Sequence, residues 1–320
     1  MKMKIERRTF LKRSSLLALS TPLLSIPFTN TTAAISKHLD DQLEIHIFSK
    51  HLQFLDYKGM AEFAADIGFA GLDITVRPKG HVLPENVKRD LPKAVEAVKK
   101  AGLKTVTITT AITQAEEKYA EDILQTMADQ NIRYYRMGWL RYPEDITIPK
   151  AMSAFKKQME ALTKLNKKYG IVGAYQNHSG RYVGASIWEV WELLEKVDTT
   201  VMGAQYDIRH ATVEGGKSWQ TGLRLIEPYI KTIVLKDFRW EKNEKGWNAI
   251  NTPIGEGMVN FKEYFSLLKK YNIKVPISLH MEHDLGGAEH GKKEITMSKD
   301  KIYEVMKKDL TNIQALWKSA

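Results

Sequence analysis

The chain has 320 residues, a formal net charge of +10 and no cysteine. Disulfides, thiol nucleophiles and thiolate metal sites are therefore excluded, and any metal must rest on His, Asp, Glu or water. The basic residues form no dense block interleaved with aromatics, which argues against nucleic acid as a partner.

Half of that charge lies in residues 1–34, where Lys2, Lys4, Arg7, Arg8, Lys12 and Arg13 oppose only Glu6. The basic stretch runs into the apolar "LLALSTPLLSIPF" and then the polar "TNTTAA", the layout of a secretory signal. The apolar run is too short and too interrupted to span a bilayer. "RRTFLK" at 7–12 resembles a twin-arginine signal, which exports folded proteins. The expectation is an exported, periplasmic protein with residues 1–34 as signal and no membrane span in the mature form. Residues 35–320 then form one domain, compatible with a homo-oligomer.

Eight β-rich runs follow in order: 43–48, 70–77, 103–110, 132–139, 171–177, 201–208, 230–238 and 275–282. Segments of helical period alternate with them. In "YKGMAEFAADIGF", Met60, Phe63, Ala64 and Phe69 recur every three or four residues. "PENVKRDLPKAVEAVKKAG" and "AFKKQMEALTKLNKKYG" each end at a glycine, a common helix stop. "NFKEYFSLLKKYN" and "KIYEVMKKDLTNIQALWK" are amphipathic. Strand and helix alternating eight times predict an α/β, single-domain (β/α)8 TIM barrel, a fold of ~250 residues. A doubly wound sheet is the rival, but no glycine-rich phosphate turn follows the first run, "HIFSKHLQF". "GEGMVNF" and "HDLGGAEHGKKE" read as loops.

In such barrels chemistry gathers at the carboxyl ends of the strands. Those ends carry Lys50 and His51; Asp73, Thr75, Arg77 and His81; Thr109 and Thr110; Arg136 and Trp139. They continue with Gln176, Asn177 and His178; Gln205, Asp207, His210 and Glu214; Lys236, Asp237 and Arg239; His280, Glu282 and His283. A single histidine there is more often structural, but His, Asp, Glu and Arg converging on one face mark a site. Strand alternation puts Gln205 with Asp207, Gln176 with His178, His280 with Glu282, and Val234 with Lys236. Asp237 then turns away from Lys236, as a cap or supporting residue.

With "GLDITVRPKGHVLPE", "NHSG", "YDIRHA", "LKDFRW", "PIGEGMVNF" and "LHMEHDLGGAEHG", the chain resembles the xylose isomerase-like superfamily over residues 43–320. The resemblance implies one divalent metal (Mn, Mg, Zn or Co) held by a Glu, an Asp, a His and a Glu. Asp207 and Glu282 match two of these positions, and His210 matches a substrate contact. The other two positions fall near Ala174 and at Val234, neither a ligand. Either His178 or His280 completes a metal site, giving for instance Asp207, Glu282 and His178, or the Lys236 ammonium replaces the metal. The implied activity is an exported isomerase or epimerase that abstracts a proton next to a sugar carbonyl. His178, His210 and Glu282 are base candidates, and Lys236, Arg136 or a metal polarises the carbonyl. Arg77, His81, Arg136, Gln176, Asn177 and His280 are candidate contacts to a small carbohydrate. A 3-keto-glycoside lyase or hydratase and a non-catalytic sugar-binding barrel are the alternatives.

Overall fold

The computed structural model describes residues 42–320 except Lys245. The expected signal at 1–34 and the start of the domain lie outside the described residues.

Eight parallel strands close a barrel: β1 (Ile45–Phe48), β2 (Gly71–Val76), β3 (Lys104–Thr110), β4 (Tyr134–Arg136), β5 (Val172–Gln176), β6 (Met202–Asp207), β7 (Ile230–Leu235) and β10 (Ile277–Leu279). β1 closes against β10, and each of the other strands pairs with the next barrel strand in the chain. The barrel strands are almost wholly buried, as expected of a parallel sheet covered by helices. Between and after them run α1 (Tyr57–Ile67), α2 (Val87–Lys100), α3 (Ala120–Asp129), α4 (Ile148–Tyr169), α5 (Ile187–Leu194), α6 (Ile208–Gly215), α7 (Trp219–Ile226), α8 (Phe261–Lys270) and α9 (Lys299–Ser319). The expected glycine stops hold: α2 gives way to Gly102 (φ 77°) and α4 to Gly170 (φ 66°), left-handed positions that glycine tolerates without strain. Among the described residues no helix is long and apolar enough to cross a membrane.

One run behaves differently from the sequence expectation. The seventh was read as a single strand to residue 238, but β7 stops at Leu235. The chain then enters an antiparallel hairpin, β8 (Asp237–Asn243) with β9 (Gly246–Thr252). Lys236 and Asp237 straddle this break and face opposite ways. The Asp237 carboxylate gathers the loop after the hairpin: Oδ1 accepts from the N–H of Phe238 (2.8 Å) and Val259 (3.1 Å). Oδ2 accepts from Gly255 and Gly257 (both 2.9 Å). A Cβ on Gly257 would collide with Asp237 Oδ1 and the Phe238 carbonyl, so this approach requires glycine.

Candidate active site

The Lys236 side chain turns into the barrel mouth, where it is 3 % exposed. Its Nζ lies 3.2 Å from Asp207 Oδ2, 3.3 Å from Glu282 Oε2 and 3.2 Å from His210 Nε2. An ammonium has three N–H donors and no acceptor, so each N–H has one acceptor here. Both His210 nitrogens face donors: Nδ1 lies 2.8 Å from Ser179 Oγ and 3.1 Å from Arg209 Nη1, and Ser179 Oγ itself accepts from Arg209 Nη1 (3.0 Å). We place the proton on Nδ1, donated to the Ser179 hydroxyl oxygen. Nε2, facing the Lys236 ammonium, is then left to accept.

Asp207 is positioned by three devices. As the residue before α6, it caps the helix by accepting the His210 N–H at Oδ1 (3.1 Å). Asn177 grips its backbone from the neighbouring strand, accepting the Asp207 N–H (2.8 Å) and donating to its carbonyl (3.0 Å). Gln176 donates to Oδ2 (2.9 Å) while its own carbonyl accepts from Arg136 Nη1 (3.3 Å). Burial pushes Asp207 above the usual carboxylate range, with Lys236 opposing the shift. Glu282 behaves oppositely. Burial raises it, but Lys236 and Lys50 outweigh burial and hold it well below that range; Lys50 Nζ lies 3.0 Å from Oε1. Burial, reinforced by the Lys236 charge, drives His210 and His280 well below their ordinary value and His178 to about 4. All three imidazoles are therefore neutral at neutral pH.

A second group lies across the mouth around Asp73. Its carboxylate accepts from Thr109 Oγ1 (3.0 Å) and Ser278 Oγ (3.0 Å), and burial raises it to about 6. His280 stacks on Phe48 with centroids 4.0 Å apart, and its Nε2 is 3.8 Å from Asp73. Arg77 lies over the same Phe48 ring at 5.4 Å, and Arg136 over Trp139 at 4.2 Å.

The structure thus brings together Lys236, Asp207, Glu282, His210, Gln176 and Arg136, with the His178 ring tilted against that of His210, centroids 4.0 Å apart. Arg77 and His280 join from the Asp73 side. Two of the expected sugar contacts have protein partners in the structure. His81 leans on the Leu55 carbonyl (3.3 Å), away from the Lys236 cluster. Asn177 is buried and holds Asp207 in place. Three contributors were not selected from the sequence: Lys50, Asp73 and Arg209. Lys50 and Asp73 do stand at strand ends, and Arg209 sits inside "DIRH"; what failed was ranking them, because their partners come from distant strands.

A profile of the xylose isomerase-like TIM barrel family matches residues 61–301. The chain belongs to this family. No curated protein sequence matches it. Solved structures with the same fold include D-psicose 3-epimerase from Clostridium cellulolyticum H10 with D-tagatose (12 % identity, TM-score 0.66, 86 % of this chain and 99 % of that one). The 3-keto-D-glucoside 4-epimerase from E. coli aligns at 12 % identity and TM-score 0.62, over 86 % of this chain and 100 % of its own. A xylose isomerase-like TIM barrel protein from Mycobacterium smegmatis, solved in complex with magnesium, aligns at 12 % identity and TM-score 0.57, over 79 % and 89 %.

The residues of this family member do not fit the divalent metal that the resemblance implies. Val234, in register with Asp207, offers no donor atom. The β5 residue that touches Asp207 is Gln176, which already donates an N–H to it; Ala174 pairs with Gly203, deeper in the strand, and carries no donor atom in its side chain. The Lys236 ammonium lies between Asp207 and Glu282, the two carboxylates that match ligand positions implied by the resemblance, where a dication would meet like charge. Among the described residues no three His, Asp or Glu side chains are grouped as a metal requires. The expected set Asp207, Glu282 and His178 is therefore corrected: His178 packs against His210, Trp139 and Tyr182 rings instead.

Proposed function

We propose that the chain is an enzyme that labilises a hydrogen beside the carbonyl of a small carbohydrate, with the Lys236 ammonium as its fixed cation. The observation that carries this reading is the three-way seat of Lys236 on Asp207, Glu282 and His210. Two carboxylates hold the cation in place without reorganisation, the arrangement that best stabilises charge developing on an oxygen. A carbonyl oxygen entering the mouth takes the N–H now given to His210. That exchange polarises the carbonyl and frees the His210 Nε2 lone pair in the same step, leaving it placed as the base. Negative charge growing on the oxygen then sits against Lys236. Returning a proton to the opposite face of the same carbon gives epimerisation; moving the hydroxyl proton between the two oxygens of an enediolate and protonating the former carbonyl carbon gives isomerisation. Loss of a leaving group from the same enolate is the lyase outcome. The epimerases that share the fold support this class of reaction, and the "RRTFLK" amino terminus supports action outside the cytoplasm.

A second reading, a sugar-binding barrel without turnover, is favoured by one observation: Glu282 is held by two lysines and is a poor base. Deuterium wash-in separates the two. The mature protein is incubated in D2O with a panel of ketoses and 3-keto-glycosides and followed by proton NMR. The enzymatic reading predicts loss of signal from the carbon next to the carbonyl, abolished in Lys236→Met. Binding without exchange by any member of the panel contradicts it.

A further inference from the structure

The barrel mouth holds more positive than negative charge. Lys50, Arg77, Arg136, Arg209 and Lys236 lie among Asp73, Asp207 and Glu282. Counting Glu214, which is exposed and acts on Arg209 alone of these cations, still leaves a surplus of one. The surplus is not spread evenly. Lys236 and Lys50 are matched by carboxylates, and Arg209 is occupied by Ser179 and the Ala249 carbonyl. Among the described residues no hydrogen bond or ion pair engages the Arg77 guanidinium; its contact is the face of Phe48. Arg136 is 3 % exposed, and its Nε has no partner.

Two guanidinium groups with uncommitted donors thus share one side of the mouth: strand register sets Arg136 beside Thr109, which donates to Asp73, and Arg77 lies over Phe48, on which His280 stacks 3.8 Å from Asp73. Burial, and then Arg77, brings Arg136 down to about 9. Like charges brought together over one carboxylate, Asp73, are an unfavourable arrangement unless an anion joins them. Guanidinium is the side chain suited to that task, because its planar fork matches carboxylate and phosphate oxygens.

We propose that the carbohydrate is itself anionic, and that Arg77, backed by Arg136, receives its carboxylate or phosphate. This rests on the carbohydrate reading above and names the class of sugar. It also orients the substrate: an oxyanion on the β2–β4 side leaves the rest of the sugar directed toward Lys236.

The test is thermal stabilisation of the mature protein at constant ionic strength. The probes are D-glucose, D-glucuronate, glucose 6-phosphate and inorganic phosphate, added to wild type, Arg77→Gln and Arg77→Lys. The expected result is half-maximal stabilisation by one of the two acidic sugars at a concentration at least tenfold lower than by D-glucose. Whichever acidic sugar leads tells carboxylate from phosphate. Arg77→Gln should erase that preference, and Arg77→Lys should retain part of it. Equal response to neutral and acidic sugars, no response to any anion, or a preference that survives Arg77→Gln overturns the proposal. An Arg77-dependent response to inorganic phosphate without one to either acidic sugar upholds the anion site and overturns the carbohydrate reading. Because the readout is binding, absence of turnover does not affect it.

Discussion

Asp207 and Asp237 are both buried carboxylates, one ending β6 and the other lying just past the end of β7, yet they are held by different partners. Asp237 accepts four backbone N–H groups of its own hairpin and the following loop, and among the described residues no cation pairs with it. Asp207 accepts one backbone N–H, one amide N–H and an ammonium. The backbone donors around Asp237 cannot be exchanged without moving the loop. The Lys236 donors belong to a side chain and are shared among Asp207, Glu282 and His210, so one of them can pass to a ligand without moving the backbone. The difference separates a carboxylate that builds the fold from one that belongs to the chemistry.

Substitutions at these two places should separate accordingly. Lys236→Met is expected to have the largest effect, lowering turnover by about 10²–10³-fold, the loss typical of one transition-state donor. It should also destabilise the protein by roughly 3–5 kcal/mol, because buried carboxylates lose their cation. Steady-state rates corrected for folded fraction by urea titration give both numbers. If turnover per folded molecule survives, the two aspartate environments do not differ in function. Asp237→Ala should show the reverse: about 3 kcal/mol lost, from orphaned buried donors, with turnover per folded molecule little changed. Gly257→Ala, which pushes on the same carboxylate, should cost about 1–3 kcal/mol by the same measure.

The pH dependence sharpens the contrast between the two sides of the mouth. Asp73 is raised from 3.8 to about 6, so the folded state holds its proton more tightly than the unfolded chain. Stability attributable to Asp73 should fall as pH rises through 4 to 6, by about 3 kcal/mol in all. The wild type minus Asp73→Asn difference in urea stability, measured at pH 4 and pH 7, checks this. Glu282 is depressed, so its contribution is present at neutral pH and is lost only as pH drops below the ordinary carboxylate range. A Glu282→Gln variant should lack that acid limb.

The barrel was legible because eight buried runs alternate with segments of helical period, a pattern that few folds share. Strand alternation also gave the inward face of Lys236 and the outward turn of Asp237, a two-residue periodicity that survives the end of β7. The hairpin at 237–252 was not legible. Its strands are largely exposed and carry no clean alternation of apolar residues, so nothing marked the break at Leu235. The sequence also did not show that Gln176, two residues beyond Ala174 on the same face, is the β5 side chain that reaches Asp207. That Arg77 is unengaged was not legible for a related reason: a sequence names a guanidinium but not whether any carboxylate comes within bonding distance of it.

The central claim is that Lys236 stands where a divalent metal would otherwise be held. Calorimetric titration of Mn2+ into the mature protein tests it most directly. The account predicts no saturable binding at micromolar metal. Stoichiometric binding at that concentration, lost in Asp207→Asn, would contradict it.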